Sequence, residues 1–228
     1  MYVPNYIPEP LEVPGNVTEE PYPLRIHFVR RVAELYLVSV LITAGICHLH
    51  FPHAEFYVPL IAIAVCLVGL DLLRIVMRGK PAEAKVSSLC LPAALVFSAW
   101  LLREIQWNGW PIYQALVGPI CVFLYVFLSG RDFSFVGCCV LSFISSSVCV
   151  AGIAVSSNLD RVHAGFALGF NAIFVIYLVY DFASLLARRR RGEELAAVVD
   201  LYRDVFNFFG YAVRMVKHWR KHRIWTSK

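Results

Sequence analysis

Apolar residues along this chain come in long, nearly unbroken runs rather than in the one-sided stripes of soluble helices. Runs of helix length lie near residues 32–51, 57–77, 86–102, 111–129, 134–156 and 164–187. A bilayer core about 30 Å thick takes roughly 20 apolar residues per helix, so each run predicts a crossing segment. A seventh run near 195–216 is weaker, because Asp200, Arg203, Asp204, Asn207 and Arg214 interrupt it. The links are short, so neighbouring helices should run antiparallel, and no soluble domain fits between them. The pattern predicts an all-α membrane protein: a bundle of seven transmembrane helices, the last either crossing or re-entrant. It divides the chain into a Pro-rich N-terminal tail over 1–24, a multi-pass helical membrane domain over 25–217, and a basic C-terminal tail over 218–228.

Composition supports the bilayer. Hydrophobic residues make up 59% of the 228, and charged residues only 16%, against about 25% in average soluble domains. A soluble chain of this kind would expose aggregating patches. The net charge of +5 does not point to nucleic acid, because the basic residues cluster between the apolar runs: Arg30-Arg31, Arg78 to Lys85, Arg188 to Arg191 and Arg214 to Lys228. Such clusters mark cytoplasmic flanks of membrane helices. Lys and Arg are richer before the first run and in the even links, which predicts a cytoplasmic N-terminus. The basic stretch from Arg214 to Lys228 conflicts with a luminal C-terminus, so the path of the last segment stays open at this stage. The seven cysteines lie mostly within apolar runs and suggest neither disulfides nor zinc. The Pro- and Glu-rich first two dozen residues read as a disordered tail without a cleavable signal. The sequon Asn16-Val17-Thr18 would be used only if that tail were luminal.

Charges inside a membrane are costly and need a reason. Asp181 stands near the cytoplasmic end of the sixth run, and Asp204 lies 23 residues further on, inside the seventh. A helical hairpin turning near Arg190 places the two carboxyls about 14–21 Å from the turn at 1.5 Å per residue, so they can meet at similar depth. Carboxylates in contact in a low dielectric share a proton. Such a pair senses pH and, when ionised, attracts a hard cation such as calcium. The plainer reading is that Asp181 and Asp204 pair with Arg203 or neighbouring arginines at the cytoplasmic face. Spacing alone leaves both readings standing.

The stretch VYDFASLLARRRRGEELAAVVDLYRDVFNFF, from Val179 to Phe209, resembles the closing signature of the transmembrane Bax inhibitor motif family. Asp181, Glu193-Glu194, Leu201-Tyr202, Asp204 and Asn207 fall on matching positions. Arg131-Asp132-Phe133-Ser134 is similar to the motif that opens the family's fifth helix, and Arg25-x-x-Phe28-x-x-x-Val32 to its start. The resemblance spans roughly residues 25–217. It implies a calcium-permeable bundle with Asp181 and Asp204 as its pH-sensing gate and transient calcium ligands, and it implies no resident cofactor. It implies a latch arginine after the second run, for which Arg78 is the candidate and Arg74, oriented by Asp71, the substitute. Tyr180, Asp200, Arg203 and Asn207 are the supporting residues. An endoplasmic reticulum or Golgi membrane follows from the resemblance alone, and so divergent a version would fit a viral relative. Two departures stand out: Arg203 replaces an apolar residue and Asp200 a common asparagine. Arg203 beside Asp204 would favour its ionised form and move the sensed pH downward.

Other features weigh less. His48, His50 and His53 in HLHFPH give at best a two-ligand face. Cys138, Ser142, Ser145 and Cys149 recur at helical spacing and read as a packing face or, alternatively, a pore lining. Gly165 and Gly169 form a GxxxG-like pair that reads as close packing. The main rival function is a non-conducting regulator that acts through membrane-protein partners in cell death, adhesion or trafficking. A presenilin-type protease, the remote alternative, fits Tyr180-Asp181 but lacks the glycines expected before the second aspartate, so no enzyme is expected.

Overall fold

The computed structural model describes residues 13–49, 51–55, 57–77, 80–107, 114–130 and 133–206, apart from the side chains of nine helical residues (67, 71, 74, 75, 81, 114, 115, 205 and 206). Among them are eight α-helices and no strand: α1 (Tyr22–Ile46), α2 (Tyr57–Val76), α3 (Pro81–Leu89), α4 (Leu91–Trp107), α5 (Gln114–Leu128), α6 (Phe135–Ser156), α7 (Arg161–Arg188) and α8 (Glu194–Phe206). Local chemistry sets several of the ends. Asp160 caps α7 by accepting from the backbone N–H of His163 at 2.7 Å, and Ser134 caps α6 through Gly137. Pro81 opens α3 where its missing N–H costs nothing. Only Cys90 separates α3 from α4, and hydrogen bonds run through it on both sides, so the two form one interrupted rod.

Among the described residues three helical stretches are long and apolar enough to cross a membrane: Ala82–Trp107, Phe135–Ser156 and Arg161–Arg188. The outside of the bundle is greasy. Leu41, Ile61, Val65, Val76, Leu89, Leu128, Val148, Val155 and Phe170 are all exposed, a surface that water would not tolerate and lipid does. The inside inverts this pattern. Asp181, Asp200, Asp204, Glu83, Glu104, Arg188, Arg189 and Arg203 are buried. Helix α8 explains how. It touches α1, α2, α3, α4 and α7, and residues 196–204 are buried on every side. The described part of the most polar apolar run is therefore a central post, packed on every side by its neighbours.

Two expectations about the first residues change. The helix α1 begins at Tyr22, ten residues before the first apolar run, because Pro21 and Pro23 favour a helix start there and Ile26, Phe28, Val29 and Val32 bury one side of its polar first turns. Arg30, on that stretch, donates to the carbonyls of Val126 and Gly130 at the end of α5. Residues 13–20, expected to belong to a loose tail, are instead folded against the end of α7. Val13 N–H donates to Ala187 O at 3.2 Å, Val17 N–H to Arg189 O at 3.0 Å, and Arg190 Nε to Pro14 O at 2.9 Å. The first two bonds supply partners to carbonyls that the end of α7 leaves over. Asn16 is buried, with its side chain bonded to Val13 O and Thr18 N–H, so the sequon amide is engaged in the fold. Residues 1–12 and 207–228, including the basic tail, lie outside the described residues.

The small-residue features are also redistributed. On α6 the buried stripe runs Cys138, Ser142, Ser146, Val150 and Ala154, and Ser145 and Cys149 are exposed, off that stripe. A helical period of 3.6 lets a stripe drift to either side, and the structure follows the i+4 side. Asn171 of α7 donates to Ser146 Oγ across this interface at 2.8 Å. Gly165 and Gly169 are exposed, and an added Cβ at either meets nothing within 4 Å, so this pair makes no close helix contact within the chain. All seven cysteines are free.

Candidate functional site

The hairpin of α7 and α8 brings Asp181 and Asp204 together. Asp181 lies two turns before the C-terminal end of α7, and Arg188 follows it by seven residues on the same face. The guanidinium of Arg188 bridges the pair: Nη2 donates to Asp181 Oδ1 and to Ser184 Oγ, and Nη1 donates to Asp204 Oδ2 at 2.5 Å. Ser184 Oγ also donates to Asp181 Oδ1 at 2.9 Å. Asp181 is 0% exposed, and its Oδ2 has no hydrogen-bond partner among the described residues. Asp204 meets Asp181 through this shared guanidinium.

The chain of charges continues along α8. Arg203 donates from Nε to Asp204 Oδ1 at 3.0 Å and stands 3.1 Å through Nη1 from Asp200 Oδ1. Asp200 and Asp204, one turn apart, thus share Arg203. On its far side Asp200 receives a two-pronged contact from Arg189, Nε to Oδ2 at 2.6 Å and Nη2 to Oδ1 at 2.8 Å. The same guanidinium donates to Glu83 of α3 at 2.7 and 3.2 Å, and Ser87 donates to Glu83 at 2.8 Å. Burial opposes the Arg189 charge, but Asp200 and Glu83 more than offset it and hold the group firmly protonated. Among the described residues the network joins four carboxyls (Asp181, Asp204, Asp200, Glu83) to three guanidiniums (Arg188, Arg203, Arg189).

An aromatic wall encloses the lattice on the α1 side. Tyr36 packs edge-on to Phe182 at 6.4 Å and against Tyr202 at 5.5 Å. The Tyr202 hydroxyl lies 3.0 Å from Ser39 Oγ. Tyr180 is half-buried beside Asp181. Arg78 and Asn207 lie outside the described residues, as do the side chains of Asp71 and Arg74 on α2.

Arg188, Arg189 and Glu83 were not singled out by sequence reasoning. The i+7 spacing from Asp181 was the available signal for Arg188, hidden within a tetra-arginine cluster that reads as a topology flank. Nothing local marks Glu83, which is 106 residues from Arg189.

Calcium as a resident ion fits these side chains poorly. Among the described residues no three His, Cys, Asp or Glu converge as metal ligands, and Arg188 occupies the space between the two aspartates. Any cation meeting this pair would have to displace the guanidinium.

Another buried carboxylate sits at the opposite end of the bundle. Glu104 of α4 is 0% exposed. Its Oε1 accepts from Ala54 N–H at 3.1 Å, and its Oε2 lies 3.3 Å from His53 Nδ1. His53 also packs edge-on to Trp107 at 4.8 Å. His53, in the link between α1 and α2, therefore finds an acidic partner on α4, and His50 lies outside the described residues.

No family model, curated protein or solved structure matches the chain. What the fold itself defines is the class: among the described residues, an all-helical protein with three helices fit to cross a membrane and a charged lattice in its interior.

Proposed function

We propose that this chain is a divergent relative of the transmembrane Bax inhibitor motif family, and that it forms a pH-sensitive calcium leak in an intracellular membrane. In this reading seven segments span the bilayer, the N-terminus faces the cytoplasm, and the membrane is that of the endoplasmic reticulum or Golgi. The observation that carries the proposal is the single guanidinium of Arg188 held between Asp181 and Asp204. Whatever proton the pair binds or releases changes the hold on Arg188, and Arg188 stands where a cation would have to pass. Titration of the pair is thereby coupled to opening. Modulation of calcium stores and of cell death would follow from such a leak.

The test is calcium flux into proteoliposomes containing the purified protein, over a pH series, for wild type, Asp181→Asn and Asp204→Asn. A leak whose pH profile shifts in either variant supports the reading. Unchanged flux in both variants sinks it.

One observation favours a second reading. The lattice ties every one of its carboxyls to a guanidinium, which is also what a static scaffold would do. In that case the protein is a regulator acting through membrane-protein partners, and well-folded protein conducts at no pH. An aspartyl protease is disfavoured in either case, since its two carboxyls must share a water and a proton between them, where this pair clasps an arginine.

A further inference from the structure

A cavity of about 310 Å³ lies between α2, α4 and α8, on the side of α8 away from the aromatic wall of Tyr36. Leu70, Leu73 and Phe97 form its walls, and Tyr202 and Arg203 close its floor. Interiors rarely leave voids much larger than a water molecule, because the lining forfeits packing contacts. A space of this size falls within the range of ligand-binding pockets.

Its rim decides what it can receive. Gly69 of α2 and Ala93 of α4 both line the cavity and are both exposed. Neither carries a side chain large enough to close the gap, and a Cβ at Gly69 meets nothing within 4 Å. On either side of that window the helices present Val65, Val68, Leu72 and Val96 outward, so it opens among apolar residues. The polar groups on the floor are directed elsewhere. The Arg203 guanidinium is committed to Asp200 and Asp204, and the Tyr202 hydroxyl to Ser39. Nothing there selects an anionic headgroup, and apolar walls reject a polar solute.

We propose that this cavity is a side entrance from the bilayer that takes up one acyl chain of a membrane lipid, whose tip rests on Tyr202 and Arg203 beside the charged lattice. The headgroup stays outside, because the described side chains that border the window, Val65, Val68, Leu72 and Val96, are apolar. The proposal stands whether or not the protein conducts calcium.

The test uses the full chain in proteoliposomes that contain phosphatidylcholine with a photoactivatable diazirine in mid-chain. Adducts are mapped by peptide mass spectrometry after illumination. The expected result is enrichment on cavity residues, Leu70, Cys90 and Phe97, over the outward Val65, Val68 and Leu72. Gly69→Trp and, separately, Ala93→Phe should fill the window and lower the cavity adducts several-fold while leaving the outward adducts unchanged. The unchanged outward pattern shows that a variant has folded, and two variants guard against one that does not. Equal labelling of inward and outward residues in the wild type, or cavity labelling that survives both substitutions in folded protein, would mean annular lipid only and would overturn the proposal.

Discussion

Two carboxylates in this protein are equally sealed from solvent and differently supported. Asp181, in the α7–α8 hairpin, sits among Arg188, Ser184 and Asp204, inside a lattice that extends through Arg203 and Arg189 to Glu83. Glu104, at the other end of the bundle, is held by a backbone N–H and by His53, whose side chain is 76% exposed. Arginine keeps its charge at any physiological pH, so the hairpin lattice can change only through its carboxyls. Histidine pairs as an ion only when protonated, so the Glu104 contact is conditional on its partner. Burial alone therefore does not say how a charge is kept. The permanence of the partner does.

If this contrast is right, the largest loss should follow removal of the shared cation. Arg188→Gln strands Asp181 and Asp204 together and should cost about 3–5 kcal/mol, the range for breaking a buried pair. Thermal unfolding in detergent reads this, and adding Asp181→Leu and Asp204→Leu to Arg188→Met should recover most of the loss. Arg189→Gln should come next at about 3 kcal/mol, because Arg203 still serves Asp200 while Glu83 loses its guanidinium. Glu104→Gln should cost about 1–3 kcal/mol, as the amide retains an oxygen for Ala54 N–H. A loss there as large as that of Arg188→Gln would erase the contrast. His53→Ala should cost less, about 0–1 kcal/mol, since its side of the pair is solvated.

Asp160→Ala should have the smallest effect, a fraying of the first turn of α7 visible in hydrogen exchange. Its carboxyl is held below the usual range by the His163 N–H and then by the His163 ring. A depressed carboxyl contributes stability above its unfolded pKa and loses it as pH falls through the folded value. The difference between wild type and Asp160→Ala should therefore shrink in acid and be constant near neutrality.

Much of this organisation was legible beforehand. Runs of about 20 apolar residues lead to membrane helices because a bilayer leaves backbone groups no partner outside the helix. The hairpin arithmetic placed Asp181 and Asp204 about 14–21 Å from the turn, near enough in depth to meet. Pairing with arginine was one of the two readings left open, and the arginine singled out by name, Arg203, does contact Asp204. What could not be read was rotation and distance. Whether Arg188 or Arg203 reaches Asp181 depends on how α7 and α8 are turned about their axes, and no local pattern reports that angle. The folded strap over residues 13–20 was missed because its bonds go to carbonyls at the end of α7, more than 170 residues away.

The sequence by itself therefore determined the class of the protein and the depth of its acidic pair, because hydropathy and helical rise act along the chain. Only the tertiary structure decided that Arg188 joins the pair, that Glu83 closes the lattice, and that α8 stands at the centre. A buried charge is viable only when partners surround it in three dimensions, and those partners come from helices that the chain visits far apart.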